Sequence, residues 1–278
     1  MQRRKYGVSE DGFTGTLYLE GQPETGVIVL SDEFTDAPHA ESIAKTLARA
    51  GFAAMAVRLW GGPDLPPYPD RIPANRIESA VRVLRVIPMV QIIALYACSL
   101  GTAYAVPAAA EIPEIRACAL ISPLWSAFEG TNGRMSGHSA VLWKGEELPY
   151  VRGIGTGKPA GFRQIFSGFE EQWNEPGIAR ATDLHPERIP AQGKPLLMLA
   201  GGKDPYWPAG QVTMAYGRRM QPYIRQGLFT GRIYPRCGHC LGVVPESVFR
   251  RPFSRPDRQQ KTEMKESCLT AMEWLNQL

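Results

Sequence analysis

Along the chain, short continuous apolar runs alternate with longer stretches in which apolar residues recur every three or four positions. Gly26–Ser31 ("GVIVLS") and Phe52–Trp60 ("FAAMAVRLW") are runs of strand length, and "HAESIAKTLARAG" between them has helical spacing and stops on Gly51. This predicts one β-α-β unit. A second helix, "NRIESAVRVLRVI", leads into the run "QIIALYA"; a third, after Ser99, leads into "ACALIS" (Ala117–Ser122). Strands that read as unbroken apolar runs are buried on both faces, so the repetition predicts an α/β fold: a mostly parallel sheet with helices on both sides.

The rhythm breaks after Pro123. The segment at about 124–193 is rich in Gly, Trp and Phe and contains "SAVLWKGEELPYV", which reads as a hairpin with Lys144-Gly145 near its turn. It is expected to be an excursion, a cap or hairpin, that precedes the acid-bearing strand within a single domain spanning 1–278. The alternation then resumes with "KPLLMLAGG", a helix around "GQVTMAYGRRM", the strand "GLFTGRIYP" and a closing helix "QKTEMKESCLTAMEWLNQL". Trp125, Phe128, Trp143, Tyr150 and Trp173 in the excursion, with Tyr206 and Trp207 beyond it, either line a pocket or pack the excursion onto the sheet; the sequence leaves both open.

Composition narrows the functional classes. Hydrophobic residues at 44% and charged residues at 21% fit a globular protein, and no run of apolar residues is long enough to span a membrane. The basic N-terminus has no apolar segment after it, so a cytoplasmic location is expected. Five cysteines at irregular positions in 278 residues argue for reduced thiols over a disulfide framework. The net charge of +4 is spread over 31 basic and 27 acidic residues without a basic block, so neither nucleic acid nor membrane is an expected partner.

The stretch "ALYACSLGTAYA" turns from a strand into a small-residue helix with Cys98 and Ser99 at the junction. A sharp strand-to-helix turn exposes its central side chain only if the residues two before and two after are small, which is the steric basis of the GxSxG pattern. Centred on Ser99 the flanks are Ala97 and Gly101; centred on Cys98 they are Tyr96 and Leu100, which are too bulky. Ser99 is therefore the candidate nucleophile. A serine hydroxyl needs an imidazole to take its proton, and the imidazole needs a carboxylate to hold its tautomer. Asp204 follows the strand "PLLMLA" in "GGKDPYWP", and His239 follows "LFTGRIYP" in "RCGHC", so all three parts fall at strand ends in the order Ser, acid, His.

The competing residues fit less well. His39 lies near the start of the first helix, His138 in the excursion and His185 before Pro186; Asp183, also in the excursion, is the second choice of acid. "CGHC" lacks a second ligand pair at comparable spacing, so no metal is expected, and the chemistry calls for no cofactor. An oxyanion needs two backbone N–H donors: Leu100, directly after the nucleophile, and Phe34 in the loop "SDEFTD" after the first strand are the candidates.

The stretch "IVLSDEFTDAPHAESIAKTLARAGFAAMAVRLWGG", the turn "ACSLG", the loop "GGKDPYWPAG" and "CGHC" resemble the dienelactone hydrolase family of α/β hydrolases. That resemblance implies the α/β-hydrolase fold and an auxiliary role for Glu33 beside the nucleophile; the best-known members carry cysteine where this chain has Ser99. "SAVLWKGEELPYV" and "ERIPAQGKPLLMLAGGKDPYWP" resemble the catalytic domain of acyl-CoA thioesterases and bile acid-CoA:amino acid N-acyltransferases, whose additional N-terminal sandwich has no counterpart here. The expected function is a serine hydrolase that cleaves a small-molecule ester or thioester through an acyl-enzyme, of carboxylesterase or acyl-CoA thioesterase type. A dienelactone-type lactone hydrolase, an acyl-CoA acyltransferase and a non-catalytic ligand-binding protein of the same fold are the alternatives.

Overall fold

A computed structural model describes residues 1–30, 39–153, 168–243 and 256–278. The chain opens with β1 (Gln2–Tyr6), the single-turn α1 (Val8–Asp11) and β2 (Thr14–Leu19). Then come β3 (Thr25–Leu30), α2 (His39–Arg49), β4 (Ala53–Arg58), the short β5 (Ile72–Pro73), α3 (Ile77–Arg85), β6 (Ile92–Cys98), α4 (Gly101–Glu111) and β7 (Ile115–Ile121). The excursion supplies β8 (Ala127–Thr131), β9 (Met135–Ser139), β10 (Val141–Trp143), β11 (Glu146–Glu147) and β12 (Tyr150–Val151), with short helices at Phe169–Trp173 and Pro176–Ala181. The chain closes with β13 (Leu196–Gly201), a helix at Ala209–Arg219, β14 (Phe229–Tyr234) and the helix Arg258–Asn276.

Eight strands form the main sheet in the order β1-β2-β4-β3-β6-β7-β13-β14. From β4 to β14 neighbouring strands are parallel, whereas β2 runs antiparallel to β4 and β1 antiparallel to β2. The expected α/β architecture is therefore present, with an N-terminal hairpin that the apolar pattern does not announce. The reason lies in β1, whose sequence QRRKY is exposed at every position but the last, because the strand forms the rim of the sheet.

Successive residues of the central strands feed two separate cores, as the period of two requires. Ile28, Leu30, Leu95, Ala97, Leu196 and Met198 face α3, α4 and the helix Ala209–Arg219. Val27, Val29, Ala94, Tyr96, Leu197 and Leu199 face α2 and the closing helix. Truncating one such Leu to Ala removes about 2–5 kcal/mol, so each strand is held from both sides. The helix α4 is apolar all round and its residues from Gly101 to Ala110 are buried, which is how a helix covered on every side reads in sequence. Lys194, itself buried, donates from Nζ to the carbonyls of Ala109 at 2.8 Å and Ile112 at 3.0 Å, placing a cation at the negative end of α4.

In the excursion, β10 and β11 pair as predicted, Trp143 opposite Glu146, around Lys144 and Gly145 at φ of +51° and +91°. Two left-handed central residues are the geometry that a two-residue hairpin needs. Trp125, Phe128, Val141, Trp143 and Phe169 join the same buried cluster as α4. Trp125 packs edge-on against Phe169 and Trp173 with centroids 5.6 and 5.3 Å away, and Trp143 donates from Nε1 to Glu111 Oε2 at 2.6 Å. These aromatics pack the excursion onto the sheet.

Candidate active site

Ser99 follows the last residue of β6 and precedes α4, with φ of +57°. Its N–H donates to Ile121 O at 2.9 Å, the end of the neighbouring β7, and its own carbonyl accepts from Thr102 N at 3.0 Å and Thr102 Oγ1 at 2.7 Å. These bonds fix a left-handed conformation that an L-residue otherwise disfavours. The small flanks have a measurable reason: a Cβ on Gly101 would stand 2.9 Å from the carbonyl carbon and oxygen of Leu30 in β3, closer than real Cβ atoms come to other atoms. Ala97 pairs with Leu30 on one side and Leu120 on the other. Cys98, next to Ser99, packs partly buried against the core on the α2 side.

The structure brings Ser99, Asp204 and His239 together although 140 residues separate the serine from the histidine. His239 Nε2 lies 2.9 Å from Ser99 Oγ, and His239 Nδ1 lies 2.7 Å from Asp204 Oδ2. The side chain of Asp204 is 1% exposed and that of His239 10%, so the carboxylate is shielded while the imidazole still meets solvent. Asp204 Oδ1 accepts from Tyr206 N at 2.9 Å, which leaves Oδ2 turned to the imidazole. The rings of Trp207 and Tyr206 stand edge-on to that imidazole at 4.5 and 5.0 Å.

The acid and histidine loops lean on each other through backbone. Lys203 N donates to Cys237 O, and Gly202 N to Tyr234 O, both at 2.9 Å. Gly201 allows this approach, since a Cβ there would fall 2.0 Å from Gly238 O. On the far side Glu263 of the closing helix accepts from Arg236 N at 2.8 Å and Cys237 N at 3.2 Å. Burial and the Glu263 carboxylate push the Cys237 thiol up to about 12. It therefore stays protonated beside its neighbour His239, while Cys240 is exposed.

Leu100, fully buried, caps the start of α4 directly after Ser99. Glu33 and Phe34 lie outside the described residues, as does the side chain of His39. Asp183 is committed elsewhere: it accepts from Tyr216 Oη at 2.7 Å and pairs with Arg219. His138 is exposed and paired with Glu147, and His185 is exposed beside Glu187. Among the described residues, one group of side chains could together ligate a metal, namely Asp183, His185 and Glu187, and the Arg219 guanidinium lies against both of its carboxylates.

Two residues escape a reading of spacing. Ser122, which follows β7, donates from Oγ to the carbonyl of His239 at 2.7 Å, and Tyr96 accepts from Val243 N through its hydroxyl at 2.7 Å. Both look like ordinary strand residues in sequence, and their partners lie more than a hundred positions away.

No family model and no curated protein sequence matches the chain. Solved structures do match over nearly its whole length. TT1662 from Thermus thermophilus is 17% identical with a TM-score of 0.55, covering 99% of both chains. Est1E from Butyrivibrio proteoclasticus is 14% identical with a TM-score of 0.54 over 96% of both chains, and it has also been solved with ferulic acid bound. A dienelactone hydrolase-like promiscuous phosphotriesterase from metagenomic libraries is 15% identical with a TM-score of 0.52 over 98% of both. The fold is that of the dienelactone hydrolase-like and esterase α/β hydrolases; these structures do not carry the likeness to acyl-CoA thioesterases.

Proposed function

We propose that the protein is a serine hydrolase that cleaves a small ester through an acyl-enzyme. The observation that carries this is the chain of contacts from Asp204 through His239 to Ser99 Oγ, at 2.7 and 2.9 Å, on a turn held in the left-handed region. Ser99 Oγ attacks the carbonyl carbon while His239 Nε2 takes its proton, and Asp204 stabilises the imidazolium that forms. The carbonyl oxygen becomes an oxyanion, for which the N–H of Leu100, at the positive end of α4, is one donor and Phe34 the proposed other. As the tetrahedral centre collapses, the leaving alcohol receives the proton from His239. Water then repeats the sequence in reverse roles and releases the carboxylic acid.

Ester cleavage by these steps needs no group beyond the chain's own residues and water. Ferulic acid, bound in Est1E, belongs to the class of product that such a reaction releases. Thioesters react by the same steps, and Glu33 is the proposed auxiliary group beside the nucleophile. The deciding experiment is labelling with a fluorophosphonate, peptide mapping, and rates on an aryl ester, an acyl-CoA and a lactone. Label on Ser99, lost in Ser99→Ala together with turnover, is the expected result, with Cys98→Ala keeping at least about a tenth of the rate because Cys98 packs away from the turn. An active Ser99→Ala beside a dead Cys98→Ala would sink the reading. No burst and no turnover on any of the three, with a ligand-induced thermal shift, would point to a binding protein of this fold.

A further inference from the structure

Ser122 follows β7 as Ser99 follows β6, and both stand in the left-handed region. Six described residues other than glycine have positive φ, and two of them, Ser99 at +57° and Ser122 at +48°, follow adjacent central strands. Each donates its N–H to the next strand, Ser99 to Ile121 O and Ser122 to Leu199 O at 2.8 Å, so the two turns are stacked as successive steps. Glycine would adopt the backbone of Ser122 without strain. What serine adds is a hydroxyl, and that hydroxyl, in a residue 1% exposed, donates to the carbonyl oxygen of His239 at 2.7 Å.

On this ground, and resting on the hydrolase reading above, we infer that Ser122 is a positioning residue for the base: it fixes the peptide of His239 and so the direction of the imidazole toward Ser99. Asp204 holds the imidazole, and several further holds on this loop act on the neighbours of His239. Glu263 grips Arg236 and Cys237, Lys203 N reaches Cys237 O, and Tyr96 holds Val243. The bond from Ser122 acts on the histidine's own main chain. Without it the peptide plane can rotate, and the 2.9 Å between Nε2 and Oγ lengthens in part of the population. A local misplacement of about 1 Å at a reacting pair costs on the order of a hundredfold in rate.

The test uses Ser122→Gly and Ser122→Ala beside wild type and Ser99→Ala, with melting temperature, kcat and KM on an activated aryl ester, and the rate of fluorophosphonate labelling. Ser122→Gly removes the hydroxyl and relieves the backbone, so its melting temperature should equal or exceed that of Ser122→Ala. Both variants should lose about ten- to a hundredfold in kcat and in labelling rate, with KM within about twofold of wild type. A kcat of Ser122→Gly within about threefold of wild type overturns the inference, as does a Ser122→Gly protein that fails to fold, since the hydroxyl would then be holding the structure instead of the histidine. Activity retained by Ser99→Ala is a separate outcome that removes the hydrolase reading itself.

Discussion

Asp204 and Asp183 are both partly buried aspartates that hydrogen-bond to a backbone N–H two residues on, and only their other partners distinguish them. Asp204 presents its second oxygen to His239, whereas Asp183 faces Tyr216 and Arg219. Asp204→Asn should therefore lower turnover by several orders of magnitude, about 10⁴-fold where the wrong tautomer faces the nucleophile, at little cost in melting temperature. Asp183→Asn should do the reverse, keeping most of the activity and melting lower, because it loosens the charge held against Arg219. Activity against pH gives a second check. A base must be neutral to take a proton, so the rate should rise with pH along a limb with the slope of one ionisation. His239→Ala should abolish that limb, and His185→Ala should leave it unchanged. The grouping of Ser99, Asp204 and His239 was legible because each stands just after an apolar run, in the order that the resemblance to α/β hydrolases implies. Ser122 was not, because a serine that ends a strand is commonplace and its partner is fixed only by tertiary contact.

At the scale of elements, the site is an arrangement of strand ends whose spacing is set by missing side chains. Gly101 lets α4 start against Leu30, and Gly201 lets the acid strand end against the histidine loop. The second contact is the tighter, backbone on backbone at 2.0 Å from the position a Cβ would take, so something must move in Gly201→Ala. Since the atom that must yield belongs to Gly238, beside His239, that variant should lose activity well before it loses secondary structure; circular dichroism and ester turnover measured on one sample separate the two. Gly101→Ala should instead depress both together, because α4 is buried along its length. The alternation revealed all six parallel strands; the five inner ones show their burial at nearly every position, whereas β14, last in the sheet order, is exposed from Gly231 to Ile233. The alternation did not reveal β1 and β2, where the strand at the rim carries no apolar repeat. Gly101 was legible as a small flank of the serine turn. Gly201 was not, because the need for glycine there comes from a loop reached only after a further helix and strand.

For the molecule as a whole, carboxylates that tie elements together contribute to the response to acid, Glu41 and Glu111 among them. Burial pushes Glu41 up, but the hydroxyls of Tyr18 and Thr16 and the charges of Arg3 and Lys45 outweigh it, so its pKa is lowered. The indole of Trp143 hydrogen-bonds to Glu111 and lowers it too, helped by Lys144 and Arg188. A carboxyl with a folded pKa below its unfolded value binds fewer protons when folded. Its stabilisation is therefore present above the unfolded value, near ~4.3, and is lost as pH falls through the folded one. Melting temperature should drop as acid is added below about pH 5, and Glu41→Gln and Glu111→Gln should each flatten that drop. The rim of the sheet sets how molecules meet. β1 carries Arg3, Arg4 and Lys5 side by side on a strand that, among the described residues, pairs on one side only, with the guanidinium groups of Arg3 and Arg4 over the rings of Tyr18 and Tyr6. A second copy joining there would set three cations against three, a repulsion that guards an open edge. That guard is only as long as the Debye length, which shrinks from about 10 Å at 0.1 M salt to about 3 Å at 1 M. Brine, which loosens most charge-driven encounters, should draw these molecules together along that rim.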